Sequence, residues 1–235
     1  MRLSEFLGGA AASLLLILIP GCGSPSVSSE TYGDSISSDV DQGLLSSAFI
    51  IHGLACQRKA SGSGVLVEQG ILTNAHVVAG TEDLYVIDHN GNEYQSRLVS
   101  IDSQTDLALL HVEGLNVPPL AVASPEKGMK GIALVGGDGL IKAIPATIDR
   151  LVEINIADIY GEGEYRRKGM QLNADIASGD SGGAIVNGSG EVVGLVFSRS
   201  SNRNNVSYAV SSEEFSLVTE NLSFNGIDSG ECLRK

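Results

Sequence analysis

Short runs of β-favouring residues, each bounded by turn residues, follow one another from about residue 44 to residue 210. The runs are 47–53, 64–70, 71–78, 83–99, 106–114, 131–137, 145–154, 168–176, 183–198 and 206–210. The dipeptide Asn90-Gly91, placed between two alternating runs, is a strong hairpin signal. Short strands at this spacing predict an all-β sandwich or barrel and argue against βαβ units.

One helix is predicted after the last strand, over residues 211–222. Ser211 and Glu214 have the spacing of a capping box, a pattern that begins helices. The apolar residues of the segment recur on one helical face; they are Phe215, Leu217, Val218 and Leu222. We recognise no second domain after this helix.

Composition excludes two classes of partner. The hydrophobic fraction of 43% is ample for a core, and the formal net charge is −13. The longest basic cluster is the tripeptide 166–168. Binding to nucleic acid depends on neutralising phosphates, so we expect no nucleic-acid partner and no docking on anionic lipid through a basic patch.

The N-terminus has the pattern of an export signal, predicted over residues 1–21. Its apolar run, 14–20, is too short to cross a bilayer, which takes about 20 apolar residues. The run ends in "IPGC", which resembles a bacterial lipobox and predicts lipidation of Cys22. The alternative is an ordinary signal peptide with an incidental cysteine. We expect an exported protein, lipid-anchored in the bacterial envelope and facing the periplasm or the extracellular side.

Residues 22–43 are rich in serine and acidic residues and predict a flexible tether after the lipidated cysteine. Of the three cysteines, lipidation of Cys22 leaves Cys56 and Cys232. Disulfides persist outside the cytosol, so these two are expected to pair. A redox or metal role has no supporting CxxC or Cys/His spacing, and we predict neither a metal site nor a cofactor.

The octapeptide "GDSGGAIV" at 179–186 raises the possibility of a nucleophilic serine, Ser181. Its pattern also fits the nucleophile elbow of α/β-hydrolases, in which the histidine follows the serine. All four histidines of this chain precede Ser181; they are His52, His76, His89 and His111. The α/β-hydrolase interpretation is therefore excluded, and the order His…Asp…Ser remains.

Three stretches in that order resemble the trypsin/chymotrypsin-like serine proteases, especially their HtrA-type bacterial branch. "TNAHVV" contains His76, "TDLALL" begins with Thr105 and Asp106, and "GDSGG" contains Ser181. The pieces "PATI", "DIYG" and "ADI", with cysteines that bracket the domain, resemble the MarP-like periplasmic acid-resistance proteases more closely. We recognise neither the PDZ domain of HtrA proteins nor the multi-helix membrane domain of MarP-like proteins.

The resemblance implies two antiparallel β-barrels of the chymotrypsin type, followed by a C-terminal helix. It places the protease domain at 44–235, with the first barrel at about 44–124, the second at about 125–210, and the helix and tail at 211–235.

The same resemblance implies a role for each site residue. His76 would act as general base and then acid, while Asp106 would orient its imidazole and Ser181 would attack the substrate. The backbone N–H groups of Gly179 and Ser181 would form the oxyanion hole. The remaining histidines are expected to lie on the surface or pack on strands.

Asp180 departs from the HtrA pattern, which has asparagine. In digestive relatives this aspartate pairs with a new N-terminus released by cleavage. Ile50 lies only 26 residues before His76, too near for that arrangement, and it is expected inside a first strand. Asp180 then needs another partner, a backbone N–H or an arginine, and the protease would act without N-terminal processing.

Substrate recognition is predicted at two places. Asp175, six residues before Ser181, is where trypsin has the acid that selects Lys or Arg; the alternative is that Asp175 pairs locally. Phe197, Ser198 and Arg199 match the strand that pairs with substrate backbone, although Arg199 could obstruct the pocket or neutralise Asp175.

The leading functional prediction is a serine endopeptidase that cleaves envelope or extracellular proteins through an acyl-enzyme. Its partners would be a protein or peptide substrate and a membrane. The alternative is a catalytically silent lipoprotein on a protease fold, acting as a binding or chaperone module. Esterase activity would be a side reaction of the same acyl-transfer chemistry.

Overall fold

A computed structural model describes residues 42–233 of the chain. The predicted signal peptide, Cys22 and nearly all of the predicted tether lie outside these residues. The strands are β1 Ala48–Ala55, β2 Arg58–Val67, β3 Gly70–Thr73, β4 Thr81–Ile87, β5 Glu93–Asp102, β6 Leu107–Val112, β7 Lys130–Val135, β8 Lys142–Ile156, β9 Tyr165–Asn173, β10 Ala184–Asn187, β11 Val192–Arg199 and β12 Val206–Ser211. The helices are α1 Gln42–Ser46, α2 Ala75–Val78, a 3-10 turn at Ser212–Glu214, and α3 Ser216–Thr219.

The twelve strands form two closed antiparallel barrels of six strands each. Their orders are β1-β2-β3-β6-β5-β4 and β10-β11-β12-β9-β8-β7. The all-β, two-barrel architecture expected from the sequence is therefore confirmed. Closure removes unpaired sheet edges around each barrel.

The predicted hairpin joins β4 to β5. The Asp88 carboxylate accepts the backbone N–H groups of Asn90 and Asn92, both at 2.9 Å. Gly91 has φ +83°, a left-handed conformation that favours glycine. The turn forms because the dipeptide supplies that conformation and the aspartate satisfies its donors.

Three apolar clusters fill the structure. One lies inside the first barrel around Phe49, Ile51 and Leu110, and another inside the second around Met170 and Leu172. A third cluster combines side chains of both barrels; its fully buried leucines are Leu72, Leu107, Leu109, Leu134 and Leu195. Burying each leucine contributes about 2 kcal/mol, so this shared cluster holds the two barrels together.

The C-terminal helix is shorter than the predicted 211–222. The Ser211 hydroxyl accepts the N–H of Glu213 at 3.2 Å, but Glu214 does not complete a capping box. Its carboxylate instead accepts the backbone N–H of Lys168 at 2.7 Å. The chain therefore makes a 3-10 turn and then one α-helical turn, in which Val218 is buried while Leu217 is exposed.

After α3 the chain returns to the first barrel. The predicted disulfide joins Cys56 to Cys232, with 6.2 Å between the Cα atoms and 176 residues between them in sequence. The N–H of Gly80 donates to the carbonyl of Ser229 at 2.9 Å. The tail is thus held by a covalent bond to the turn between β1 and β2 and by a hydrogen bond to the residue before β4. Within 42–233, no helix is long and apolar enough to span a bilayer.

Candidate active site

His76 lies in α2, a single helical turn that follows β3 directly. Asn74, at the start of that turn, is fully buried, and its side-chain amide donates to the carbonyl of Asp106 at 2.9 Å. This bond connects the end of β3 to the turn between β5 and β6.

Asp106 binds His76 in two ways. Its oxygens lie 2.8 and 3.0 Å from Nδ1 of the imidazole, and Oδ1 also accepts the His76 backbone N–H at 2.9 Å. Since an ionised carboxylate only accepts hydrogen bonds, Nδ1 carries the proton and Nε2 is left with its lone pair. Asp106 is 4% exposed and has φ +61°, a strained conformation of the kind found at functional sites.

Ser181 lies in a turn whose N–H groups fall into two sets. Those of Asp180, Gly182 and Gly183 donate to protein carbonyls, at 3.3, 2.8 and 3.0 Å. The N–H groups of Gly179 and Ser181 have no acceptor among residues 42–233. Gly179 has φ +94°, so the chain turns sharply here. The two N–H groups without an acceptor lie on either side of Asp180.

The serine turn docks on β2 of the first barrel. The backbone N–H of Ser63 donates to the carbonyl of Ser181 at 2.7 Å. A Cβ on Gly62 would lie 2.6 Å from Val77 and 3.0 Å from the Ser181 carbonyl. Gly62 of β2 therefore packs against both Val77, the residue after His76, and Ser181. This packing brings the His76 turn and the serine turn together.

Close packing also explains the second glycine of the motif. A Cβ on Gly182 would lie 2.0 Å from the Ser63 carbonyl oxygen, and its φ is +84°. The hydroxyl of Ser181 makes no hydrogen bond within the described part of the chain, so the expected link to His76 is not made in this conformation. Such bonds are often long in enzymes without substrate.

Asp180 has backbone partners. It is 1% exposed, and its two oxygens accept the N–H groups of Gly137 at 3.2 Å and Ala177 at 2.8 Å. A Cβ on Gly137 would lie 2.5 Å from the Gly179 carbonyl carbon, so only glycine allows this approach. Ile50 is 3% exposed in the interior of β1, as expected for a chain that does not use it as a terminus.

The predicted specificity residues are less enclosed. Asp175 is exposed between the buried Ala174 and Ile176. Ser198 and Arg199 are exposed at the end of β11. Within 42–233, no ion pair joins Arg199 to Asp175.

The outer end of β11 has one unpaired side. Ser198 pairs with Tyr208 and Arg199 with Ser207 on β12. On the other side, the pairing with β10 ends near Leu195. The last two bonds there both involve Val196, whose N–H donates to the Gly183 carbonyl and whose carbonyl accepts the Gly182 N–H. Residues 197–199 therefore present an accessible strand edge beside the serine turn.

The other three histidines lie in different surroundings. His52 stacks on Tyr85 with ring centres 5.5 Å apart, and His111 meets Phe224 edge-on at 5.4 Å. His89 is exposed in the β4–β5 turn. These placements agree with the strand and surface packing expected for them.

Arg167 is a residue of this region that the sequence did not single out. It is 5% exposed on β9, and its guanidinium carbon lies 4.5 Å from the centre of the Phe197 ring. Burial lowers the pKa of Arg167, while the charges of Asp106 and Glu214 act in the opposite direction. The basic tripeptide 166–168 has the composition of a solvated surface segment. Only the alternation of side chains along a strand could have indicated that its middle residue is buried while its neighbours are exposed.

Ser63 is a second residue that the motifs did not identify. Its hydroxyl accepts the N–H of Gly136 at 2.8 Å, across the barrel interface, and its carbonyl accepts the hydroxyl of Thr73 at 2.8 Å. Together with the bond to Ser181, these contacts fix the serine turn relative to both barrels.

Comparison with known proteins finds serine proteases among the relatives of this chain. The serine protease Rv3671c of Mycobacterium tuberculosis is 36% identical over 148 residues, which are 60% of this chain and 37% of that protein. A DegP-like periplasmic serine endoprotease of Halomonas elongata is 31% identical over 170 residues, 66% of this chain and 33% of that protein. The chain therefore matches only about a third of the length of these curated relatives, 37% and 33%.

Solved structures give the same result. The active form of the Rv3671c protease superposes with a TM-score of 0.76 at 28% identity, covering 82% of this chain and 88% of that one. Its inactive form gives 0.65 and covers 74% of this chain. The model of the trypsin-like peptidase domain matches residues 62–195, more than half of the sequence. This chain belongs to the family of trypsin-like peptidase domains.

Proposed function

We propose that the protein is a serine endopeptidase in which Ser181, His76 and Asp106 form the catalytic triad. The observation that carries the proposal is the contact of the Asp106 carboxylate with Nδ1 of His76, at 2.8 and 3.0 Å. A serine hydroxyl is a weak nucleophile until a base removes its proton. An imidazole held through Nδ1 keeps Nε2 available for that proton.

In the proposed reaction, the Oγ of Ser181 attacks the substrate carbonyl while Nε2 of His76 takes its proton. The imidazolium is stabilised by Asp106 and then protonates the leaving amine. The C–N bond breaks, and an ester to Ser181 remains. Water, deprotonated by the same imidazole, attacks the ester; the C–Oγ bond breaks, the imidazolium returns the proton to Oγ of Ser181, and the new carboxyl end is released.

The N–H groups of Gly179 and Ser181 are proposed as the oxyanion hole. Their lack of an acceptor among the described residues supports this assignment, because donors held free toward a developing oxyanion stabilise the transition state without reorganisation. Asp180 lies between them and holds the turn by accepting two backbone N–H groups.

Substrate backbone is proposed to add as a strand to the unpaired side of residues 197–199, which would place its scissile carbonyl beside Ser181. Asp175 remains a candidate for selecting a basic side chain. Its exposure and the absence of an ion pair with Arg199 within 42–233 leave its carboxylate able to meet a substrate cation. A peptide library without Lys or Arg preference would exclude that role.

A fluorophosphonate probe tests the proposed function directly. We expect the wild-type protein to be labelled, and Ser181→Ala and His76→Ala to lose labelling. Ser189→Ala, at an exposed turn of the same barrel, is the matched control and should be labelled like wild type. Absence of labelling in a folded wild-type protein would instead favour the silent binding module.

We further propose that the protein acts on proteins or peptides of the bacterial envelope and is held there by a lipid on Cys22. The lipobox-like sequence and the periplasmic naming of a relative support this. An alkyne-palmitate label in the producing bacterium should enter wild type and be lost in Cys22→Ser, with release from the membrane fraction. Unchanged fractionation of that variant would contradict the anchor.

A further inference from the structure

Asn74 occupies the N-cap position of α2 but does not cap the helix. Its backbone is extended, with φ −84° and ψ 147°, and within the described part of the chain its side chain makes no capping hydrogen bond. Asparagine is among the residues that most often accept such a bond at this position. The side chain is fully buried, so its polar atoms need partners inside the protein.

Among residues 42–233, the only hydrogen bond of this side chain goes to Asp106. The amide nitrogen lies 2.9 Å from the Asp106 carbonyl oxygen, and since a carbonyl only accepts, the amide donates. The other end of the amide, Oδ1, is buried without a hydrogen-bond partner among the same residues. An unsatisfied buried acceptor destabilises a fold, and such exceptions occur mainly at functional or strained sites.

The backbone of Asp106 needs a support of this kind. Its φ of +61° lies in the left-handed region, which a non-glycine residue keeps only when its surroundings hold it there. The turn before it is closed by Asp102, whose carboxylate accepts the N–H groups of Gln104 at 2.8 Å and Thr105 at 3.2 Å. Those bonds stop one residue short of Asp106. The bond from Asn74 restrains the peptide group that follows the Asp106 Cα, and thereby the direction of its side chain.

The place of Asn74 in the sheet explains how it reaches this carbonyl. The pairing of β3 with β6 ends at Thr73 and Ala108, and the chain then turns into α2. Beyond that pair, the Asn74 side chain supplies the next link between the two segments. His76 supplies two more, from its backbone N–H at 2.9 Å and its ring at 2.8 Å, both to the Asp106 carboxylate. Asn74 therefore holds the main chain of Asp106, and His76 contacts its side chain.

We propose that Asn74 is a positioning residue of the active site, which holds the backbone of Asp106 so that its carboxylate meets Nδ1 of His76. The inference rests on the proposed function for its kinetic consequence. Asn74 is fully buried, so it acts through Asp106 and contacts no substrate. Loss of its bond leaves the imidazole less well oriented, and a small misplacement of a catalytic group slows a reaction strongly.

The kinetic test removes the donor and keeps the volume. Asn74→Leu has a similar side-chain shape without polar atoms, so it deletes the bond to Asp106 together with the unsatisfied oxygen. We expect the second-order rate constant of fluorophosphonate labelling to fall about fivefold to tenfold, the factor to which one ordinary hydrogen bond corresponds. The urea midpoint should change little, because the two deletions act on stability in opposite directions.

Gln95→Leu is the matched control. The Gln95 side-chain amide donates to the Leu84 carbonyl at 3.1 Å elsewhere in the first barrel, so the variant loses the same kind of bond without touching Asp106. Its labelling rate should equal that of wild type. An equal slowing in both variants would show that the loss is not specific to Asn74.

A second measurement needs no activity. In the Ser181→Ala background, the Nδ1 proton of His76 should give a downfield NMR signal as long as Asp106 accepts its hydrogen bond. We expect this signal to move upfield, or to be lost by exchange with water, when Asn74→Leu is added, and to stay in place with Gln95→Leu. Absence of labelling in wild type would remove the proposed function, while this signal would still decide the role of Asn74.

Thermal unfolding checks the fold of each variant. Should Asn74→Leu fail to fold, Asn74→Ala also lacks the donor and carries the same expectation. An unmoved proton signal in the folded variant, or a wild-type labelling rate, would overturn the inference, since a purely structural asparagine would alter only stability. Failure of both variants to fold would overturn it as well.

Discussion

The two barrels hold their parts of the site by different means. The first barrel fixes His76 through side chains, because a buried carboxylate binds both the ring and the backbone of the histidine. The second barrel fixes Ser181 through its backbone, because Asp180 accepts two N–H groups of the surrounding turns. Under the proposed mechanism, side chains in the first region position the base, whereas in the second region they shape the main chain that carries the proposed donors and nucleophile.

Asp106→Asn is the largest expected perturbation and tests the first region. The asparagine side chain carries no negative charge to accept the Nδ1–H bond of His76. We therefore expect kcat to fall by about 10⁴, with little change in the urea midpoint. Asp83→Asn, at another residue with positive φ (+52°) but exposed, should leave both unchanged. A urea midpoint that falls together with kcat would show that Asp106 supports the fold as well as His76, and that the two barrels do not differ in how they hold the site.

Removal of the disulfide tests whether either region depends on the tail. The bond closes 176 residues, and the chain-entropy model gives about 5 kcal/mol for a loop of that length. Cys56→Ser with Cys232→Ser should lower the free energy of unfolding by up to that amount, measured by urea denaturation. The labelling rate of the folded fraction should not change; a slowed rate would mean that the tail also positions the site.

Asp180→Ala tests the second region. It leaves the N–H groups of the half-buried Gly137 and the exposed Ala177 without the Asp180 acceptor, in bonds that are only partly buried, which we expect to cost about 1–2 kcal/mol of stability. Fluorophosphonate labelling should decline together with stability, because the N–H donors of the serine turn lose their alignment. Asp180→Asn retains one acceptor and should cost less. Lost labelling without lost stability would assign Asp180 a direct chemical role instead.

Gly137→Ala sharpens the same point with the smallest change. The added methyl would meet the Gly179 backbone at 2.5 Å, and overpacking of this kind costs about 1–3 kcal/mol. Gly188→Ala is the matched control, since nothing lies within 4 Å of its Cβ position; its effect should be below about 1 kcal/mol. Equal effects at the two glycines would contradict the close approach.

Much of this organisation could be predicted from local sequence. Strand runs, the Asn90-Gly91 hairpin and the order of His76, Asp106 and Ser181 are signals carried by neighbouring residues. The helix over 211–222 was overestimated, because Glu214 binds the backbone of Lys168 rather than capping its own helix. Lys168 lies 46 residues away from Glu214 in sequence, so no local sequence pattern predicts this bond.

The sequence by itself determined the all-β class, the disulfide partners and the chemistry available to the three site residues, because these follow from periodicity, residue type and spacing. The two-barrel architecture was implied by the resemblance of three motifs to a known family. Only the tertiary structure decided how the site is held. The hydrogen bond from Gly137 to Asp180, the bridge made by Ser63 and the contact of Arg167 with Phe197 all join segments distant in sequence. Their energies depend on burial and on short distances, with 2.8 Å from the Gly136 nitrogen to the Ser63 hydroxyl and 4.5 Å from the Arg167 guanidinium to the Phe197 ring. These distances exist only after both barrels have folded and docked.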